Sequence, residues 1–288
     1  MTEHAVGQLK KRAYCQYDSE IRFEKSVEGL QIFLPAANGY INYNLVHSVN
    51  AEQNCDMWRL GKAYGFDDCL QNAYELTPAG AEWDMAVRIS GRPDFIGGYA
   101  HGDEVYTSLS IEIDGESVDI ESLKSLTPFQ ELVITVESVG YDPLDSTTQA
   151  LQHWKEYVVS EEGITLNQRV AWLNDYTMGP SYLAMMPPLK TLTETFYTNM
   201  DPTPKEAISH YGRIPGATEA VVYGSSSGMK FRMSVPRYPS LTGGDSFLLS
   251  DNRGGLYNKM YFVICDGANC SKGDVWETTT RYVITNGL

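Results

Sequence analysis

The sequence predicts an all-β protein: a two-sheet antiparallel β-sandwich of the jelly-roll type with one or two short helices. Three observations predict it. Apolar and polar residues alternate with period two in many segments, the pattern of half-buried strands. Turn pairs such as Asp114-Gly115, Glu162-Gly163, Asp266-Gly267 and Asn286-Gly287 separate those segments and tolerate positive φ. Helical patterning is scarce, and no repeat with a period of about 20 to 50 residues suggests propeller blades.

Taken in order, residues 1–20 read as an N-terminal tail carrying the locally basic "KKR". "EIRFEKSVEGLQIFLP" and "GYINYNLVHS" follow as strands. "EWDMAVRIS" sets Trp83, Met85, Val87 and Ile89 against Asp84, Ala86 and Arg88. "TSLSIEIDG" sets Leu109, Ile111 and Ile113 against Ser108, Ser110 and Glu112. "FQELVITVESVGY" and "HWKEYVVS" continue the pattern. "ITLNQRVAWL" places Ile164, Leu166, Val170 and Trp172 on one face, with Gln168 as the one break. "SYLAMMPPLK" is an apolar strand ended by Pro-Pro. "AVVYGS", "MKFRMSV", "DSFLLS", "LYNKMYFVIC" and "TRYVITN" complete the series. Pro204 and Gly212 in "DPTPKEAISHYG" suit one short helix, and "TTQALQHW" is a weaker helical candidate. Residues 21–288 form one large sandwich in this reading. The alternative is two β domains split near 140–148, in "VGYDPLDSTT".

Composition limits function. The chain has 288 residues, 42% of them hydrophobic, with 19 Tyr and a net charge of −15. That is enough apolar content for a large core. A nucleic-acid partner would need a basic stripe, and none exists, so none is expected. No run approaches the ~18 apolar residues of a membrane span. No apolar segment near Met1 reads as a secretion signal, yet the Tyr- and Gly-rich β composition suits an extracellular or virion-associated protein. The five cysteines match no zinc spacing. Cys55 with Cys69, and Cys265 with Cys270, are spaced for small disulfide loops; free thiols are the other reading.

The polar strand faces carry cations and polar rings. "HWKEY" places His153, Lys155 and Tyr157 on one face, and Arg88, Arg169, Lys230, Arg232, Lys259 and Arg281 hold similar positions. These are either ordinary solvated faces or the lining of a groove for an anionic chain, where Arg forks grip carboxylates and aromatic rings meet sugar faces. The second pattern resembles the β-jelly-roll polysaccharide lyases and the wider group of concanavalin-like carbohydrate-active sandwiches. That resemblance implies β-elimination at a uronate, with Tyr or His moving protons and cations neutralising the carboxylate. The catalytic candidates are His101, Tyr99, Arg88, His153 and Tyr157. The substrate-binding candidates are Arg92, Arg169, Lys155, Glu104 and Tyr182. The implied partner is an acidic polysaccharide or oligosaccharide, with oligomerisation open. The alternatives are a non-catalytic glycan-binding or phage receptor-binding protein, and a sandwich-fold glycoside hydrolase.

"HGDE", His101 to Glu104, is the most distinctive short motif. It reads as an acid–base loop, as a metal site or as a polar turn. His101 and Glu104, with His210 as a third ligand, resemble the zinc pair of carboxypeptidase-like deacylases, but those sit between strand and helix, so no metal is assigned. No cofactor is expected, with calcium at Asp103 and Glu104 open as a structural ion. Glu112 and Asp114 share a face as some glycosidase carboxylates do, although Asp114 more naturally opens the following turn. No GxSxG, P-loop or dinucleotide fingerprint is present.

Overall fold

A computed structural model describes residues 19–24, 29–80, 82–98, 100–207, 211–250 and 255–287. These residues form a sandwich of antiparallel sheets with almost no helix. The larger sheet has sixteen strands. Its path runs from Thr127–Phe129 through Ser19–Glu24, Gly29–Ala36, Gly39–Asn50 and Cys55–Phe66 to Glu104–Ile113. It then continues through Leu132–Asp142, Asp145–Ser160, Gly163–Trp172, Val275–Asn286 and Met229–Arg237, ending at Glu219–Tyr223, Thr195–Thr198 and Lys205–Glu206. One junction is parallel, where Cys55 and Asp56 meet Glu104 and Val105. The smaller sheet has six strands, in the order Tyr211–Pro215, Ser246–Ser250, Lys259–Cys265, Ser181–Met186, Ala86–Val87 and Ile96–Gly97.

Alternation explains the central strands. Ile164, Leu166, Val170 and Trp172 are all buried, as are Phe231, Met233 and Val235. The break at Gln168 is buried too, because its amide donates to the Leu183 carbonyl of the smaller sheet. That bond joins the two layers. So does the Tyr282 hydroxyl, which donates to the Trp83 carbonyl at 2.8 Å while the two rings pack edge to face, 5.6 Å apart. The main core lies between these faces. A separate small cluster of Ala86, Met185 and Tyr261, with Phe95 and Tyr182 against it, occupies the opposite face of the six-stranded sheet.

Several expectations need correction. "TTQALQHW" is strand, inside Asp145–Ser160, because Leu151 pairs with Gly140 on one side and Trp172 on the other. The helix expected in "DPTPKEAISHYG" is absent from its described part. The Asp201 carboxylate accepts from the Thr203 N–H in a tight turn, and Lys205–Glu206 pairs with Thr195 and Phe196. Residues 208–210, which include His210, lie outside the described residues. The segment 140–148 is the tip of a hairpin between Leu132–Asp142 and Asp145–Ser160, whose register shifts at Gly140 to Asp142. Residues 1–18 of the expected tail also lie outside the described residues. Cys55, Cys69, Cys265 and Cys270 are free thiols. No helix among the described residues is long and apolar enough to cross a membrane.

Candidate functional site

The "HGDE" loop is built by close backbone approaches. Gly102 has φ +91°, and a Cβ there would lie 2.2 Å from the Gln53 carbonyl oxygen. Gly97 has φ +81° and donates its N–H to the Gly102 carbonyl at 2.8 Å. The Asp103 N–H donates to the Gln53 carbonyl, and the Asp103 carbonyl accepts from Tyr141 N–H, each at 2.8 Å. A loop tied at both ends holds its side chains in fixed directions. His101 goes to the outer face of the six-stranded sheet, and Glu104 goes into the interior.

On the outer face, His101 bridges two carboxylates. Its Nε2 lies 2.8 Å from Glu82 Oε1 and its Nδ1 lies 2.5 Å from Asp94 Oδ1. Burial pulls the His101 pKa down, but the hydrogen bonds and charges of Glu82 and Asp94 outweigh it and raise it above the ordinary histidine value. Glu82 is shifted the opposite way: burial raises its pKa, and the bond and charge of His101 bring it below the usual carboxylate range. The His101 side chain keeps 24% exposure and Asp94 keeps 44%. Tyr261 donates its hydroxyl to the other Glu82 oxygen at 3.1 Å.

Rings pave this face. The Phe95 centroid is 4.7 Å from the His101 ring and 6.3 Å from the near-parallel Tyr182 ring. The Arg88 guanidinium carbon lies 5.4 Å from the Phe95 centroid. Arg88 makes no ion pair among the described residues. Three of the expected residues, His101, Arg88 and Tyr182, therefore meet around one phenyl ring that the sequence reading did not single out. Glu82, Asp94 and Tyr261 were also missed. Asp94-Phe95 sits in the same loop as His101 and was legible as a nearby polar–aromatic pair. Glu82 and Tyr261 arrive from distant segments with no local signal. Tyr99 lies outside the described residues.

The "HWKEY" residues are in the opposite environment from a solvent groove. His153, Lys155 and Tyr157 do share a face, as alternation requires, but it is the inner one, and all three are at most 1% exposed. His153 Nδ1 lies 3.0 Å from Glu104 Oε1. Ser138 donates to the same oxygen at 2.5 Å. Lys155 Nζ donates to the Trp58 carbonyl at 2.8 Å, between Glu104 at 3.7 Å and Asp84 at 3.9 Å. Tyr157 donates its hydroxyl to Asp84 Oδ2 at 2.5 Å. Burial pushes the Glu104 pKa up, but the charges of Lys155 and His153 overcome it and hold the carboxyl well below the usual range. At Asp84 burial wins over Lys155 and Tyr157, and the pKa is raised. These groups form a buried polar layer between the sheets, with Lys155 lying between the two carboxylates.

The remaining candidates are dispersed. Arg92 is committed to Asp142 by two 2.7 Å bonds. Arg169 is exposed on the outer face of the larger sheet, away from the His101 cluster. Asp114 accepts from the N–H groups of Gln130 and Glu131 and opens a turn. Glu104, half of the proposed calcium pair with Asp103, is occupied by Ser138, His153 and Lys155. Among the described residues no cluster of three or more His, Cys, Asp or Glu could hold a metal ion.

No protein-family description matches the chain, and no curated protein matches its sequence. Solved structures do match. A 4-alpha-glucanotransferase from Thermococcus litoralis superposes with a TM-score of 0.50 at 9% identity over 95% of this chain. The chain spans 40% of the length of that enzyme. The Slr1438 protein from Synechocystis sp. PCC 6803 matches at TM-score 0.42 and 10% identity, over 89% of this chain and 96% of its own. A galactose mutarotase-like protein from Clostridium acetobutylicum also matches at 0.42 and 10%, over 93% of this chain and 99% of its own. The likeness to the glucanotransferase is one of fold alone.

Proposed function

We propose that the protein is a carbohydrate-active enzyme that works at the His101 cluster, cleaving a uronate-containing glycan by β-elimination. The observation that carries this reading is His101, bridged by Glu82 and Asp94 beside Phe95, with Arg88 against the same ring. Carbohydrate as the ligand class also fits the name of the glucanotransferase that shares the fold. A pyranose ring lies over Phe95 and Tyr182, which offer apolar faces to its C–H side. Arg88 receives the uronate carboxylate and lowers its charge as the C5 carbanion develops.

Both His101 nitrogens are engaged by carboxylates, so the imidazolium serves as acid rather than base. Asp94, the more exposed carboxylate, takes the C5 proton. The C5–H electron pair becomes the C4–C5 double bond, the C4–O4 bond breaks, and O4 takes the Nδ1 proton of His101 as the hydrogen bond to Asp94 opens. Asp94 then returns its proton to His101 through their hydrogen bond.

The test is a panel of uronate glycans followed by the ultraviolet absorbance of the new double bond and by a reducing-end assay. We expect a rise on at least one glycan, abolished in His101→Ala and Arg88→Ala with melting temperatures within a few degrees of wild type. New reducing ends without the absorbance band, or retention on an immobilised glycan without any product, would overturn the elimination.

A further inference from the structure

The outer face of the larger sheet carries a second feature that the His101 cluster does not use. Four of the five tryptophans, Trp58, Trp83, Trp172 and Trp276, are at most 5% exposed. Trp154 is the exception, because alternation along Asp145–Ser160 buries His153 and Lys155 and turns Trp154 outward. Its neighbours in register are Glu137 on one side and Arg169 on the other, and Arg169 in turn faces Glu277. With strands about 4.8 Å apart, this row is about 14 Å long, enough for a short oligosaccharide. The row forms the floor of an open groove of about 620 Å3, to which Thr107 and Gln152 also contribute. That volume is ample for a small ligand.

The polar groups along it are open to a ligand in different degrees. Glu277 is ion-paired with Arg237. Arg169 makes no ion pair among the described residues. Gln168, one residue earlier, bonds to the smaller sheet, so Arg169 and Trp154 point away from it. The groove and the His101 cluster are therefore on opposite outer faces of the sandwich.

We infer that this groove is a separate glycan-binding site for a neutral hexopyranose chain. The indole of Trp154 stacks on the apolar face of one sugar ring, and Glu137, Gln152 and Arg169 bond its hydroxyls. With Glu277 paired to Arg237, the row carries Glu137 and Arg169, one charge of each sign, and offers no excess of cations to a polyanionic chain. This assignment does not depend on the chemistry at His101, so the two are tested separately.

The buried positions of the other tryptophans make Trp154 the iodide-quenchable fluorophore. The full-length protein is titrated with maltoheptaose, cellohexaose, laminarihexaose and an oligogalacturonate while iodide quenching is recorded, in wild type and in His101→Ala. We expect at least one neutral oligosaccharide to protect Trp154 equally in both proteins, and the oligogalacturonate to protect it less. Calorimetry on Trp154→Ala should then show affinity for that sugar reduced by about tenfold or more. Arg169→Ala, an exposed substitution that leaves the core untouched, should weaken binding by a smaller factor. Failure of all three neutral oligosaccharides to protect, undiminished affinity in Trp154→Ala, or stronger protection by the oligogalacturonate would each overturn the assignment.

Discussion

Two histidine–carboxylate clusters lie close together in the chain and have opposite fates. Glu104 is three residues from His101, yet the first sits with His153 and Lys155 in a sealed layer and the second faces solvent between Glu82 and Asp94. The His153 side chain is 0% exposed and that of His101 is 24% exposed. Their chemistry is the same in kind. Access decides the difference: groups without a route to substrate can only stabilise or specify the fold, whereas a hydrogen-bonded imidazole at the surface can exchange protons with a ligand. A buried, strongly coupled set of acids and bases is therefore weak evidence for a catalytic centre.

The largest expected effect tests the sealed layer. Lys155→Met leaves Glu104 and Asp84 without their shared cation, and should cost about 3–5 kcal/mol in urea unfolding. A loss comparable to that of a surface ion pair would show that the layer is not a closed unit. The pH dependence sharpens the point. Ionised Glu104 contributes stability above the ordinary carboxylate pKa, and this is lost as the pH falls through that range towards its depressed folded value. Asp84 works in reverse: its contribution is present below the ordinary carboxylate pKa and disappears as pH rises through its raised folded value. Glu104→Gln should flatten the acid limb of the stability curve, and Asp84→Asn should leave that limb in place. Denaturant titrations between acid and neutral pH measure both.

Tyr157→Phe is a smaller perturbation. It removes one buried donor to Asp84 and should cost about 1–3 kcal/mol, read from the shift of the urea midpoint. The smallest stability change is expected at the outer cluster. His101→Asn should stay within about 1 kcal/mol of wild type while abolishing product formation. The cationic form of His101 persists below its raised pKa and is lost as pH rises through that value, so activity should fall on the alkaline side later than an ordinary histidine would dictate. Glu82→Gln removes the leading cause of the raised value and should move that alkaline limb to lower pH. An unmoved limb would mean that another group sets it.

The strands that alternate cleanly were legible in the sequence, and Gly163–Trp172 and Met229–Arg237 bury the residues their pattern assigns. Cys55–Phe66 escaped because Met57 to Gly61 are buried without a break, so alternation is lost across its middle. The helical reading of "TTQALQHW" was local, while its pairing partners lie in Leu132–Asp142 and Gly163–Trp172. At "HWKEY" the spacing correctly grouped His153, Lys155 and Tyr157. Their polarity suggested solvent, and the compensating charges of Glu104 and Asp84, far away in the chain, allowed burial instead. Around "HGDE" the glycines announced a tight loop, but the bridging of His101 by Glu82 and Asp94 needed the fold.

By itself the sequence determined the β class, most strand positions and which side chains share a face, because period-two geometry is a property of the local backbone. The tertiary structure decided which of those faces is inside. It placed Arg169 and Arg88 on opposite outer surfaces, sealed Glu104 with Lys155, and left His101 open beside Phe95. Those outcomes depend on which segments stack across the two sheets, and a residue's burial, partners and proton affinity are set by neighbours that local spacing does not encode.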